Sequence, residues 1–215
     1  MDIKLNEMEV RVIGCLIEKK ITTPEYYPLS INSLTTACNQ KSNREPVVGY
    51  DEEDVEETLQ GLIEKGFITE VFGSGRVVKY RERFTQEMDF KSAKTAVITV
   101  LFLRGPQTAG EIRSRSARLH QFENLGEVQK ILNDLATAEN GPFIIKLEKE
   151  VGRKENRYFH LFHGEEFINT LGIEKESTKP VEKSSEIVEL KEEIESLKNG
   201  LNELRNEFEK FKNQF

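Results

Sequence analysis

The residues whose types and spacing could do chemistry in this sequence are basic, and the chemistry is the capture of phosphate. Arg76, Lys79, Arg81 and Arg83 fall on the tip and one face of a strand whose alternate members, Val78, Tyr80 and Phe84, turn inward. Further along, Arg113, Arg115 and Arg118 follow a short helix, and Arg153, Lys154 and Arg157 decorate a second hairpin. Cations on a wing neutralise backbone phosphates and release counterions, so binding through them weakens as salt rises. A solvated, functionless surface is the competing reading of the same residues.

A second candidate is the polar run Asn39, Gln40, Lys41, Ser42, Asn43 and Arg44, which has no apolar residue and is followed by Glu45 and Pro46. It could hold an anion or the backbone of a partner peptide, with Lys41 and Arg44 as the charged members. It could equally be a loop whose Asn and Ser side chains cap its own turns. On the functional reading, replacing Lys41 and Arg44 together by Ala spares folding and abolishes capture.

Other chemistry finds little support. No nucleophile stands beside a credible base and no Gly-rich phosphate loop with Lys-Ser/Thr occurs, so the chain is read as noncatalytic, without a cofactor. His120, His160 and His163 lack metal-ligand spacing. Cys15 and Cys38 are expected as buried, inert thiols in a reducing compartment.

The elements that must position these residues can be read from periodicity and caps. Asn6 with Glu9 is a capping box opening a helix whose inward stripe is Met8, Val12, Cys15/Leu16 and Lys19. Pro24 and Pro28 forbid a helix through Thr23 to Leu29, and Ser30 caps a short one carrying Ile31, Leu34 and Ala37/Cys38. A long helix over Asp51 to Gly66 buries Val55, Leu59, Leu62 and Ile63, and strands Ile68 to Phe72 and Val77 to Phe84 close a hairpin. The order then recurs. Phe90 to Arg104 is apolar, Thr108 caps a short helix carrying Ile112, Asn124 caps a helix with Val128, Ile131, Leu132 and Leu135 inward, and Phe143 to Leu147 pairs with Arg157 to Phe162. Gly75, Arg76, Tyr80 and Phe84 correspond to Gly152, Arg153, Tyr158 and Phe162, an internal repeat of about 78 residues.

The fold class expected is mainly α with small β-hairpins (α+β): two tandem winged helix-turn-helix domains, residues 1–86 and 87–172, a linker at 173–185 and a coiled-coil helix at 186–215. Ile187, Leu190, Ile194, Leu197, Leu201, Leu204, Phe208, Phe211 and Phe215 alternate at three and four residues, and Glu186, Glu193 and Glu207 meet Lys191, Lys198 and Lys212 in a parallel pair. A parallel homodimer through Ile187 to Phe215 follows. No apolar run approaches a membrane span and no leader is evident, so the chain is expected to be soluble, unexported and cytoplasmic, without a membrane partner.

Charge tempers the phosphate reading. The net charge is -7, and residues 1–86 hold 11 Lys and Arg against 15 Asp and Glu. The helix that would enter a major groove begins with Asp51, Glu52, Glu53, Asp54, Val55, Glu56 and Glu57, and its six carboxylates suit a helix N-terminus and repel phosphate.

RVIGCLIEKKITTPEYYPLSIN and ACNQKSNREPV in the first half, with LRGPQTAGEIRSRSARLHQF, NGPFIIKL and RYFHLF in the second, resemble the YceH family, an uncharacterised bacterial family of tandem winged helices. The resemblance covers about residues 5 to 163 and implies the fold; it supplies no activity and no site residue. The first functional reading is therefore a noncatalytic, nucleic-acid-associated protein of regulatory kind, with DNA on the wings and the second domain's arginines. The second is a protein-interaction adaptor that uses winged-helix surfaces and the Asn39 to Arg44 loop.

Overall fold

Asn6 accepts a hydrogen bond from the Glu9 amide at 2.8 Å while Glu9 accepts one from the Asn6 amide at 2.9 Å, and this reciprocal cap starts α1 (Glu7–Thr22). The computed structural model describes residues 3–72, 77–148, 155–164 and 167. Ser30 caps α2 (Ile31–Cys38), and Asp51 with Asp54 caps α3 (Glu52–Glu64). Gly66, at φ +76°, turns the chain into β1 (Ile68–Phe72), which pairs antiparallel with β2 (Val78–Glu82).

The second half repeats this order after a short turn, α4 (Phe84–Glu87): α5 (Ser92–Arg104), β3 (Gln107–Thr108), α6 (Ala109–Arg115), α7 (Leu125–Ala136), β4 (Ile144–Lys146) and β5 (Arg157–His160). Thr108 and Asn124 cap α6 and α7 as the sequence suggests. The fold is thus mainly helical with small antiparallel hairpins, winged-helix-like in each half. The repeat extends to the register. Leu29, before α2, forms a bridge with Tyr80, and Gln107, before α6, pairs with Tyr158, its counterpart in the second hairpin.

The hairpins differ from the expectation. The second strand stops at Glu82 instead of reaching Phe84, because the buried Glu82 carboxylate accepts from the Thr85 amide at 2.9 Å and its hydroxyl at 2.8 Å, turning the chain into α4. The second half carries a three-stranded sheet, ordered β3-β5-β4, since two residues before α6 add an edge that no alternation announces.

Packing joins the halves. One buried cluster runs from Leu5 to Phe162 across the expected boundary at residue 86. At its centre Phe84 and Phe162, equivalent positions of the repeat and both fully buried, meet edge to face with ring centroids 5.2 Å apart. Helix α1 is buried from Glu9 through Ile17, all round rather than along one stripe, because α5 covers the side that α2 and α3 leave open. The approach is close at Gly14, where an added Cβ would lie 2.9 Å from Leu103 Cδ2 and 3.1 Å from Phe102 Cβ. No helix among the described residues is long and apolar enough to cross a membrane. The linker and the coiled-coil expectation, Ile187 to Phe215, lie outside the described residues.

Candidate functional site

On β2, the alternation that places Val78, Tyr80 and Glu82 toward the body leaves Lys79 and Arg81 exposed on the outer face, opposite Val71 and Thr69 of β1. Neither cation enters a hydrogen bond or ion pair within the described residues. Arg83 follows them in sequence but pairs with Glu87 at 2.7 Å. Arg76, Arg153 and Lys154 lie outside the described residues.

The second-half cations are mostly engaged by their own half. Arg113 donates to the Glu123 carbonyl at 2.8 Å. Arg115 bonds Gln107 Oε1 and stands 3.5 Å from Glu111, holding α6 against β3. Arg157, half-buried on β5, belongs to a cleft wall described below. Arg118 is exposed, and with Arg104 and Arg115 it borders a small recess of about 60 Å³ shared with Glu18 and Asn43. Burial and then repulsion by Arg115 hold the Arg104 guanidinium below its ordinary pKa.

The Asn39 to Arg44 loop is tied down from several sides. Asn39 holds both backbone groups of Tyr50, donating to its carbonyl at 2.7 Å and accepting from its amide at 2.9 Å. Arg44 turns inward with a fully buried side chain. It donates to the Ala37 carbonyl at 3.0 Å and to both Glu18 carboxylate oxygens, at 3.2 and 2.6 Å. Burial opposes its charge, yet Cys15 and Glu18 beside it hold its pKa above the ordinary value. Asn43, at φ 60°, bonds Arg104, and the Glu45 amide donates to the Leu103 carbonyl at 2.8 Å, so the loop stitches the first half to the end of α5. Lys41 and Ser42 are the exposed members that make no such bond within the described residues, and Gln40 is half-buried. Beneath the loop Cys15 and Cys38 are both buried and free.

Between the segment that follows this loop, Glu45 to Tyr50, and β5 lies a cleft of about 290 Å³. Arg11, Glu45 and Tyr50 come to it from the first half, and Phe102, Phe159 and His160 from the second. Arg11 is fixed by donation to the Cys38 carbonyl at 3.1 Å and the Pro46 carbonyl at 2.7 Å. His163, also on the wall, bonds the Leu5 carbonyl through Nδ1 at 2.8 Å, so that nitrogen carries the proton. His160 is 2% exposed. Its Nδ1 has no hydrogen-bond partner among the described residues. Burial and His163 push its pKa well below 6.5, leaving it neutral.

Residues 5–153 match a family described as Protein of unknown function, DUF480. The chain belongs to the DUF480 family. It is similar to a UPF0502 protein of Enterobacter sp. (strain 638), 47% identical over 190 residues that cover 86% of this chain and 87% of that one. Membership agrees with the YceH-type resemblance.

In this DUF480 protein the sequence brought forward cations by type, and the structure sorts them by surroundings. It gathers Asn43, Arg115 and Arg118 around one recess through Arg104, which periodicity had placed only at a helix end. It does not join Lys79 and Arg81 to that group. The cleft was missed altogether. Its one trace in the sequence is the run Phe159-His160-Leu161-Phe162-His163, which is dense in rings and would place both imidazoles near the same wall.

Proposed function

We propose that the protein is a noncatalytic, nucleic-acid-associated binder that grips the phosphate backbone with wing residues rather than reading a groove with its third helices. The observation carrying this reading is the outward row of Lys79 and Arg81 on β2, exposed and free of ion pairs within the described residues. Arg118 supplies a further exposed cation. The usual groove-entering route is disfavoured by α3, whose first turn carries Glu52, Glu53 and Asp54, all exposed. Filter binding of duplex and single-stranded DNA against salt tests the proposal. Replacing Lys79 and Arg81 by Ala is expected to lower the salt slope by about 1.8, since each phosphate no longer neutralised accounts for about 0.9. A flat salt response in the unaltered protein would remove the reading.

The exposed carboxylates of α3 favour a second reading, an adaptor that docks a basic protein partner on this face. Affinity capture from the native cell with and without nuclease separates the two: partners retained after nuclease point to the adaptor. The heptads at Ile187 to Phe215, outside the described residues, support a parallel homodimer in either case. Equilibrium sedimentation of the full chain against a chain ending at Pro180 checks this, and a monomeric full chain would rule it out.

A further inference from the structure

We propose that the recess bounded by Arg104, Arg115 and Arg118 is a binding site for a single tetrahedral oxyanion of the phosphate class, held at the junction of the two halves. Glu18, Thr22 and Asn43 reach the recess from the first half, and the three arginines come from the second. Size sets the upper limit. The recess measures about 60 Å³. One water needs about 10–15 Å³ of such space, so about four to six heavy atoms fit. That is the size of one phosphate group, and a whole nucleoside is too large.

Charge sets the sign. Each guanidinium carries five N–H donors and no acceptor. Within the described residues Arg104 bonds Asn43 Oδ1, Arg115 bonds Gln107 Oε1 with Glu111 at 3.5 Å, and Arg118 makes no hydrogen bond or ion pair. Glu18, the carboxylate on the wall, is already committed: Arg44 donates to both its oxygens, at 3.2 and 2.6 Å, and Lys19 stands 3.7 Å away. With Arg44, Lys19, Glu111 and Glu45 included, the neighbourhood holds five cations against three carboxylates. Burial first, and then Arg115, hold the Arg104 guanidinium below its ordinary pKa, which fits a cation that faces another across the recess.

Geometry sets the class. A guanidinium fork can donate to two oxygens of a phosphate at once. Arg104 ends α5, Arg115 ends α6 and Arg118 lies in the turn beyond it, so the forks arrive from separate elements. An anion with oxygens on several sides meets all of them, whereas a planar carboxylate offers only one edge. The recess contains neither Lys79 nor Arg81, and its occupancy does not depend on the wing reading.

The test is calorimetric titration of inorganic phosphate into the full-length protein, in chloride buffer at fixed ionic strength. Saturable one-site binding is expected, with sulfate competing and acetate at least tenfold weaker. A thermal midpoint that rises with phosphate should accompany it, because the ligand binds the folded chain alone. Arg118→Gln removes an exposed side chain with no partner among the described residues, and should weaken phosphate at least tenfold with the circular dichroism spectrum unchanged. Lys130→Gln, an equal loss of charge on α7, should leave the affinity as it was. Absence of saturable binding overturns the proposal, as does equal affinity in Arg118→Gln. Acetate competing as well as sulfate would show a diffuse positive surface and defeat it too. Oligothymidylate then distinguishes the sources of the anion: displacement of phosphate assigns the site to a nucleic-acid backbone, and no displacement assigns it to free phosphate. Phosphate binding together with a flat nucleic-acid salt response would keep this site and remove the wing reading.

Discussion

Arg44 and His160 are both interior nitrogen bases, one in the first half's loop and one on the second half's last strand, and the fold treats them in opposite ways. Arg44 is fully buried and keeps its charge, because the Glu18 carboxylate and the Ala37 and Asn43 carbonyls accept from it. His160 is as deeply buried and loses its charge, because rings and another imidazole surround it. A buried polar group with its partners in place is framework; one left without them costs the fold stability. By that standard the loop that looked functional is structural at its arginine, and a histidine with no obvious role becomes the more informative residue.

The largest effect expected is at Arg44. Removing one member of a buried ion pair strands the other, so Arg44→Ala should cost about 3–5 kcal/mol of stability in urea denaturation. This reverses the expectation that Lys41 and Arg44 can be exchanged together without harm to folding; unchanged stability would break the comparison at its first term. Asn39→Ala should come next. It orphans the Tyr50 amide and carbonyl, at about 1–3 kcal/mol.

A third measurement sharpens the His160 side. Above pH 6.5 the imidazole is neutral in both folded and unfolded chains. As pH falls below that value the unfolded chain takes a proton that the buried site refuses, and stability declines until the lower folded pKa is passed. His163, whose pKa is lowered by burial despite the Leu5 carbonyl, contributes with the same sign. Comparing denaturation curves from pH 7.5 to 5 for the unaltered protein and His160→Phe should show a shallower acid-side loss in the variant; parallel curves would mean that His160 is protonated in the fold. The smallest effect is outside, at the wing, where Lys79→Ala with Arg81→Ala should leave stability within about 0.5 kcal/mol while altering the salt dependence of any nucleic-acid binding.

Local signals in the sequence were reliable where local physics decides. The caps at Asn6, Ser30, Thr108 and Asn124 each name a side chain that reaches an amide three residues on, and each is present. The repeat was visible because Tyr80 and Tyr158 play one role twice. Contacts between distant segments were not legible. One apolar stripe on α1 gave no sign that α5 would bury its other faces, and nothing near Gln107 shows that β5 will pair with it. Arg44 reads as a surface cation because its acceptors, Glu18 and the Ala37 carbonyl, belong to helices whose approach depends on the whole first half. The cleft combines residues from Glu7 to Phe167, so no window of sequence contains it.

The absent methyl at Gly14 has a longer reach than its size suggests. Leu103 and Phe102 close to 2.9 and 3.1 Å of where that carbon would be, so the spacing of the two central rods is fixed by an atom that is not there. Because each rod carries its own hairpin, the stride from one flap to the other is a dimension set in the middle of the protein. A bulkier side chain there would act as a wedge, changing how far apart the molecule's two hands are held without touching either one.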